Sequence, residues 1–210
     1  MKAILVWLIL LYVGVANAQT GDKRGPSTPE ERERFVKIVH KLEQSPLDKN
    51  LYPERAWALQ WLVEVPDINV DVCTAPLGDF MKSNYKYASL IEGQFTFSMG
   101  VFVIEHLGKP ADDVSSLVAG VEGALNAYKS ILKSDPDAGS KALDNLLTKQ
   151  RDGKLADFVR DSSKKGCKQG GDQVSSYFEP RLFPKPAWPA FNWALFDPNS
   201  NPCSSAKISG

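Results

Sequence analysis

The side chains able to do chemistry are few. His40 and His106 are the only imidazoles in the chain. His106 sits beside Glu105 near the end of an apolar stretch, and His40 precedes Glu43 by about a turn. Such neighbours serve as acid–base couples or, more often, as surface ion pairs and helix-dipole partners. Glu92 stands out because the residues around it, Leu90, Ile91, Phe95 and Phe97, are apolar. A carboxylate drawn into such surroundings needs a partner or a shifted pKa. Glu92, Glu105 and His106 are therefore the polar candidates for an unfamiliar enzyme site. No G-x-S-x-G elbow, H-E-x-x-H or phosphate-binding G-x-x-x-x-G-K-[ST] occurs, so no residue is assigned a catalytic role and no cofactor is expected.

Three cysteines, Cys73, Cys167 and Cys203, with two histidines are too scattered for a metal site. In an oxidising compartment they imply one bridge and one spare thiol. Cys73–Cys167 is preferred, since each falls at or inside an expected helix, and Cys167–Cys203 is the close alternative. Either loop is long enough for a bridge to stabilise by roughly 4 kcal/mol. Trp57 and Trp61, one helical turn apart, together with Tyr85 and Tyr87, are candidates for lining a cleft for a small apolar ligand; the competing reading is ordinary core.

The ends of the chain set its compartment. Met1-Lys2, an apolar run from Ala3 to Val15, and Ala16-Asn17-Ala18 have the layout of an export signal over 1–18, with cleavage expected before Gln19. The run is shorter than the roughly 20 residues a spanning helix needs. Cleavage removes Lys2 from a chain with 25 basic and 25 acidic residues. The near-neutral remainder offers no footprint for nucleic acid or an anionic membrane surface. A soluble protein of the periplasm or the extracellular space is expected, with no integral membrane segment left after cleavage.

Residues 19–28 are polar and read as a disordered lead, and 29–166 as a helical domain. Thr28, Pro29 and Glu31 form a capping box with proline at the first helical position. Phe35, Ile38, Val39 and Leu42 then mark one face, up to Ser45-Pro46. A second helix is expected from Pro53 to Val65. Asp67–Ser83 is ambiguous: 68–72 alternates like a strand, yet no second strand exists to pair with it, and a helix capped by Asp67 and bent at Pro76 and Gly78 is preferred.

From about 85 to 133 the pattern is that of a tight antiparallel hairpin. Its first helix is apolar on nearly every side, so other helices must surround it. Gly108 and Pro110 mark a connection of only about three residues. Ser89, Gly93, Thr96 and Gly100 on the first helix, and Ser116, Gly120, Gly123 and Ala127 on the second, repeat one spacing. Glycine inside a helix costs about 1 kcal/mol relative to alanine, so these lines of small residues predict close backbone approach. Two shorter helices follow, one around Leu143 and Leu146, the other over 154–165 with Gly166 as its cap.

Residues 167–210 lose all periodicity and hold six prolines from Pro180 onward and seven aromatics between Tyr177 and Phe196. They are read as an irregular Pro/aromatic tail packed on the domain, or alternatively as a segment that docks to another protein.

Within ALNAYKSILKSDPD, Ala124, Tyr128 and Pro136 follow the A-x3-Y…P spacing of a tetratricopeptide repeat's second helix. The stretch over 124–136 resembles that family, with Ile131 where the family prefers alanine. The first half of the motif is missing and no second copy lies at a 34-residue offset. The resemblance implies a helical interaction scaffold. The expected fold is all-α: a helical bundle or hairpin array around a long central hairpin. The expected function is an exported, non-enzymatic interaction or scaffold protein; the alternatives are a periplasmic carrier of a small apolar ligand and an enzyme built on Glu92, Glu105 and His106.

Overall fold

The computed structural model describes residues 24–109 and 113–167, so the expected export signal, residues 110–112, Cys203 and the Pro/aromatic segment over 168–210 lie outside the described residues. Within them the chain is all-α, with no strand. The α-helices are α1 (Pro29–Gln44), α2 (Tyr52–Glu64), α3 (Ala88–Glu105), α4 (Asp113–Ser134), α5 (Lys141–Arg151) and α6 (Leu155–Gly166), with 3-10 turns over Lys49–Leu51 and Ala75–Lys82.

α1 begins as its capping box dictates. The Thr28 hydroxyl accepts from the Glu31 amide at 3.2 Å, and the Glu31 carboxylate accepts from the Thr28 amide at 3.0 Å. Residues 24–28, expected as part of a disordered lead, are held in place. Ser27 gives its amide and hydroxyl to the two Asp67 oxygens, each at 2.7 Å, and Arg32 holds the Ser27 carbonyl at 2.7 Å. Arg24 lies over the Trp61 ring at 5.8 Å. These contacts tie 24–28 across the end of α2.

The same contacts correct the reading of Asp67–Ser83. Asp67 uses both oxygens on Ser27 and cannot cap a helix of its own. Residues 67–74 run without regular structure, and the only helical turns are the 3-10 turns of Ala75–Lys82, broken where Gly78 takes φ +59°.

α3 divides the body. Ile91, Phe95 and Met99 join a cluster with Leu77, Phe80, Tyr128, Ile131, Leu143 and Val159. Phe97 and Val101 join a second cluster with Phe35, Leu42, Ala58, Trp61 and Leu62. A helix with a core on each side must be apolar almost all round. α3 and α4 run antiparallel. Tyr87, just before α3, bonds Asp135, just after α4, while Phe95 and Met99 meet Gly120 near mid-helix. A Cβ on Gly120 would lie 2.7 Å from Met99 Cγ, and one on Gly123 2.5 Å from Ser98 Cβ, so only glycine permits this approach.

The small-residue line of α4 therefore does what its spacing implies, and all four of its members are buried. That of α3 does not meet it. Gly100 packs against Phe35 and Leu62 of the second cluster, and a Cβ on Gly93 would meet only Phe97, at 3.9 Å. The α3 residues seated on the glycines are Phe95, Ser98 and Met99. Near the interface a buried polar pair, Gln94 Nε2 to Ser98 Oγ at 3.2 Å, is joined by Gln94 to the Val39 carbonyl of α1.

Cys73 and Cys167 form a disulfide, with Cα atoms 5.7 Å apart and a sequence separation of 94. Cys167 is thereby engaged, and the Cys167–Cys203 alternative falls. Gly166 ends α6 without a left-handed cap; a Cβ there would overlap the Ala75 side chain, so its service is to let α6 close on the segment that carries Cys73.

Candidate functional site

The four aromatic candidates do not share a cleft. Trp57 and Trp61 stack at 5.9 Å, Trp61 stacks on Phe35 at 4.7 Å, and Arg34 lies 3.9 Å over the Trp57 ring. Both indoles belong to the second cluster. Tyr85 and Tyr87 pack on the first, where Tyr85 meets the edges of Phe80, Tyr87 and Tyr128 at 5.8–6.1 Å. The apolar cavity expected between tryptophans and tyrosines is replaced by two separate packed sets of rings.

The tyrosine end does carry organised polar chemistry. Asp135 accepts from Tyr87 Oη and from Lys86 Nζ, each at 2.6 Å. The Lys86 bond first, and the Tyr87 bond second, hold its carboxyl below the usual range. Tyr128 Oη donates to Asp144 at 2.8 Å and accepts the Ser140 amide at 2.8 Å. Burial, together with the Asp144 carboxylate, pushes that phenol up to about 12. The Tyr85 hydroxyl is buried with no hydrogen-bond partner among the described residues, and desolvation raises it further still.

Above these rings opens a shallow cleft of about 740 Å³, lined among others by Asp79, Asn84, Tyr85, Lys86, Lys141 and Asn145. Its lining acids and bases balance, and it is open to solvent. No group of three or more histidine, cysteine or acidic side chains stands close enough to hold a metal among the described residues.

Glu92 also stays apart from the other two polar candidates. Glu92 is partly buried, and desolvation raises its carboxyl. Glu105 is exposed. His106 caps α3 locally: its Nδ1–H reaches the Phe102 carbonyl at 2.8 Å and its ring stacks on Phe102 at 4.0 Å. Glu92 and His106 are separated by about 20 Å of helix axis at 1.5 Å per residue, so they cannot share a substrate atom. His40 is exposed on α1, and the nearby Glu43 accepts from Asn126 of α4 at 2.9 Å instead.

A surface feature was overlooked in the sequence. α2 buries Arg55, Ala58, Trp61 and Leu62, with Arg55 donating to the Pro46 carbonyl at 2.9 Å. The flank of that buried side carries Tyr52, Ala56, Leu59 and Val63, at i, i+4, i+7 and i+11; Ala56 and Leu59 are half-buried, Leu59 against the second cluster, and Tyr52 and Val63 at the two ends are exposed. Tyr52 is 43% exposed and Val63 60% exposed. The only other large apolar side chain so exposed among the described residues is Leu107, at 45%, just beyond the end of α3. α3 passes α2 where Gly100 meets Leu62. The spacing of this row is legible in the sequence, but Trp57 and Trp61 on the same helix compete with it as the apolar face.

None of the described helices is long and apolar enough to cross a membrane. No family model matches the chain, and comparison with curated proteins and with solved structures likewise finds no match.

Proposed function

We propose that this chain is an exported, non-enzymatic interaction module that docks a partner through the outer face of α2. The observation that carries the reading is the row Tyr52, Ala56, Leu59 and Val63, in which both end residues are exposed and the two between them are half-buried. Exposed apolar side chains scattered singly need no explanation, but a row on one helix face is the form in which helices recognise one another. The separation of Glu92 from Glu105 and His106 weighs against a site built on those three residues, and the tetratricopeptide-like string over 124–136 favours a scaffold. Export rests on the signal layout of Met1–Ala18; the Cys73–Cys167 bridge is compatible with it.

The test places a photo-reactive phenylalanine analogue at Val63, and in a control at exposed Lys129 of α4, in the full chain expressed in its own cells. Adducts of defined mass at position 63 and none at 129 support the reading. No adducts at 63, or the same adducts at both positions, refute it.

A further inference from the structure

The face of α2 is self-complementary. Tyr52 and Val63, and likewise Ala56 and Leu59, are placed symmetrically about the midpoint between Trp57 and Ala58. If two copies of α2 lie antiparallel with a two-fold axis through that midpoint, the large Tyr52 of one copy meets the smaller Val63 of the other, and Ala56 meets Leu59. Each bulky side chain then faces a small one, as an isologous interface requires.

The charges agree with that arrangement. Glu64 closes α2 at its C-terminal end, where the helix dipole disfavours an acid, and its hydrogen-bond partner is the neutral Gln60, at 2.8 Å. Lys49 lies just before the other end, exposed and without an ion pair among the described residues. Antiparallel pairing brings Glu64 of one copy to the Lys49 end of the other, twice per dimer. Parallel pairing would set like charges side by side.

Resting on the interaction reading above, we propose that the occupant of the α2 face is a second copy of this chain, paired antiparallel through α2. A single helix pair buries a small area, and interfaces under about 1,200 Å² in total support weak association. The dimer is therefore expected to form in the micromolar range and to exchange readily.

Geometry gives the pairing a specific signature. Positions 52 and 63 lie about 16 Å apart along one helix, at 1.5 Å per residue. In the antiparallel dimer 52 meets 63 across the axis, whereas 52 and its own copy stay far apart. The experiment uses the full mature chain with Cys203→Ser, carrying either Tyr52→Cys or Val63→Cys, under mild oxidation. The mixture of the two variants is expected to form a disulfide dimer, and neither variant alone. Sedimentation equilibrium of the chain with its native α2 should show a monomer–dimer equilibrium. Val63→Asp should raise its dissociation constant at least about tenfold, the scale on which anchor residues act, while the helical circular dichroism and melting temperature of the monomer hold.

Self-linking of each variant alone would mean parallel pairing and would overturn the proposal. So would a dimer that gives no mixed disulfide. A chain that stays monomeric also overturns it, whether its own residues 168–210 or another protein takes the face. In that last case a heterologous adduct at position 63 leaves the interaction reading standing, and the absence of any adduct removes both.

Discussion

Replacing Gly123 by alanine sets two effects of opposite sign against each other. Inside an isolated helix the change is favourable by about 1 kcal/mol, because alanine loses less backbone freedom than glycine on folding. In this protein the new Cβ would stand 2.5 Å from Ser98 Cβ and in steric overlap with Ser98 Oγ. Carbon atoms rest at about 3.5–4.0 Å, so the helices must part by roughly an ångström or more at their closest point. Overpacking of this kind costs about 1–3 kcal/mol, and parting would also loosen the Phe95 and Met99 contacts at Gly120. The expected net is a destabilisation of about 1–2 kcal/mol, read as a fall of several degrees in the thermal midpoint followed by circular dichroism.

Gly93→Ala supplies the control. It sits inside the partner helix with only Phe97 near, at 3.9 Å, and should stabilise by up to about 1 kcal/mol. Adding Ser98→Gly to Gly123→Ala restores the space and should recover stability beyond the sum of the single changes, by a coupling of about 1–3 kcal/mol. Ser98→Ala keeps the Cβ and should recover little. If Gly123→Ala raises the midpoint as Gly93→Ala does, the close approach of α3 and α4 at this point is wrong.

Glu92→Gln should raise the melting temperature at pH 7 and leave it nearly unchanged at pH 4. The folded carboxyl titrates above its unfolded value, so its charged form opposes folding only once the pH has passed that value; equal effects at both pH values would contradict the burial. Cys73→Ser should remove up to about 4–5 kcal/mol of loop-closure stabilisation for a 94-residue separation, seen as a large fall in urea midpoint, and an unchanged midpoint would refute the bridge. Tyr85 and Tyr128 both titrate above their unfolded value in the fold, so their stabilisation is full below pH 10 and is lost as pH climbs towards 12. Absorbance at tyrosinate wavelengths should accordingly rise in two stages, with the late stage coincident with loss of helix and moved earlier by Tyr128→Phe; a single early stage would show these phenols to be exposed.

What the sequence disclosed was local. The Thr28-Pro29-Glu31 cap, the break at Ser45-Pro46, and the apolar stripes fixed where helices begin, end and turn a face inward. Which face of α3 meets which neighbour was not disclosed, because that helix is apolar or small on every side and its pattern has no preferred direction. Hence Gly100, aligned by spacing with the α4 glycines, serves the opposite core. Residues 67–74 failed as a helix for a tertiary reason: Asp67 is claimed by Ser27, 40 residues earlier in the chain. The polar candidates were chosen for their surroundings in sequence, and the length of α3 keeps them apart. The α2 face was visible at i, i+4, i+7 and i+11 but competed with a tryptophan pair on the same helix, and only burial decides which side of such a helix turns outward.

The position of the cystine divides the described body unequally. The bridged span from Cys73 to Cys167 contains every buried residue of the first cluster, whereas α1 and α2 precede it and are attached through packing and hydrogen bonds alone. A mechanical load applied between the two ends of the chain would strip α1 and α2 away and then bypass the hairpin altogether, since tension crosses from sulfur to sulfur. The half bearing the exposed apolar helix is thus the detachable half, while the remainder resists extension for as long as the surroundings stay oxidising.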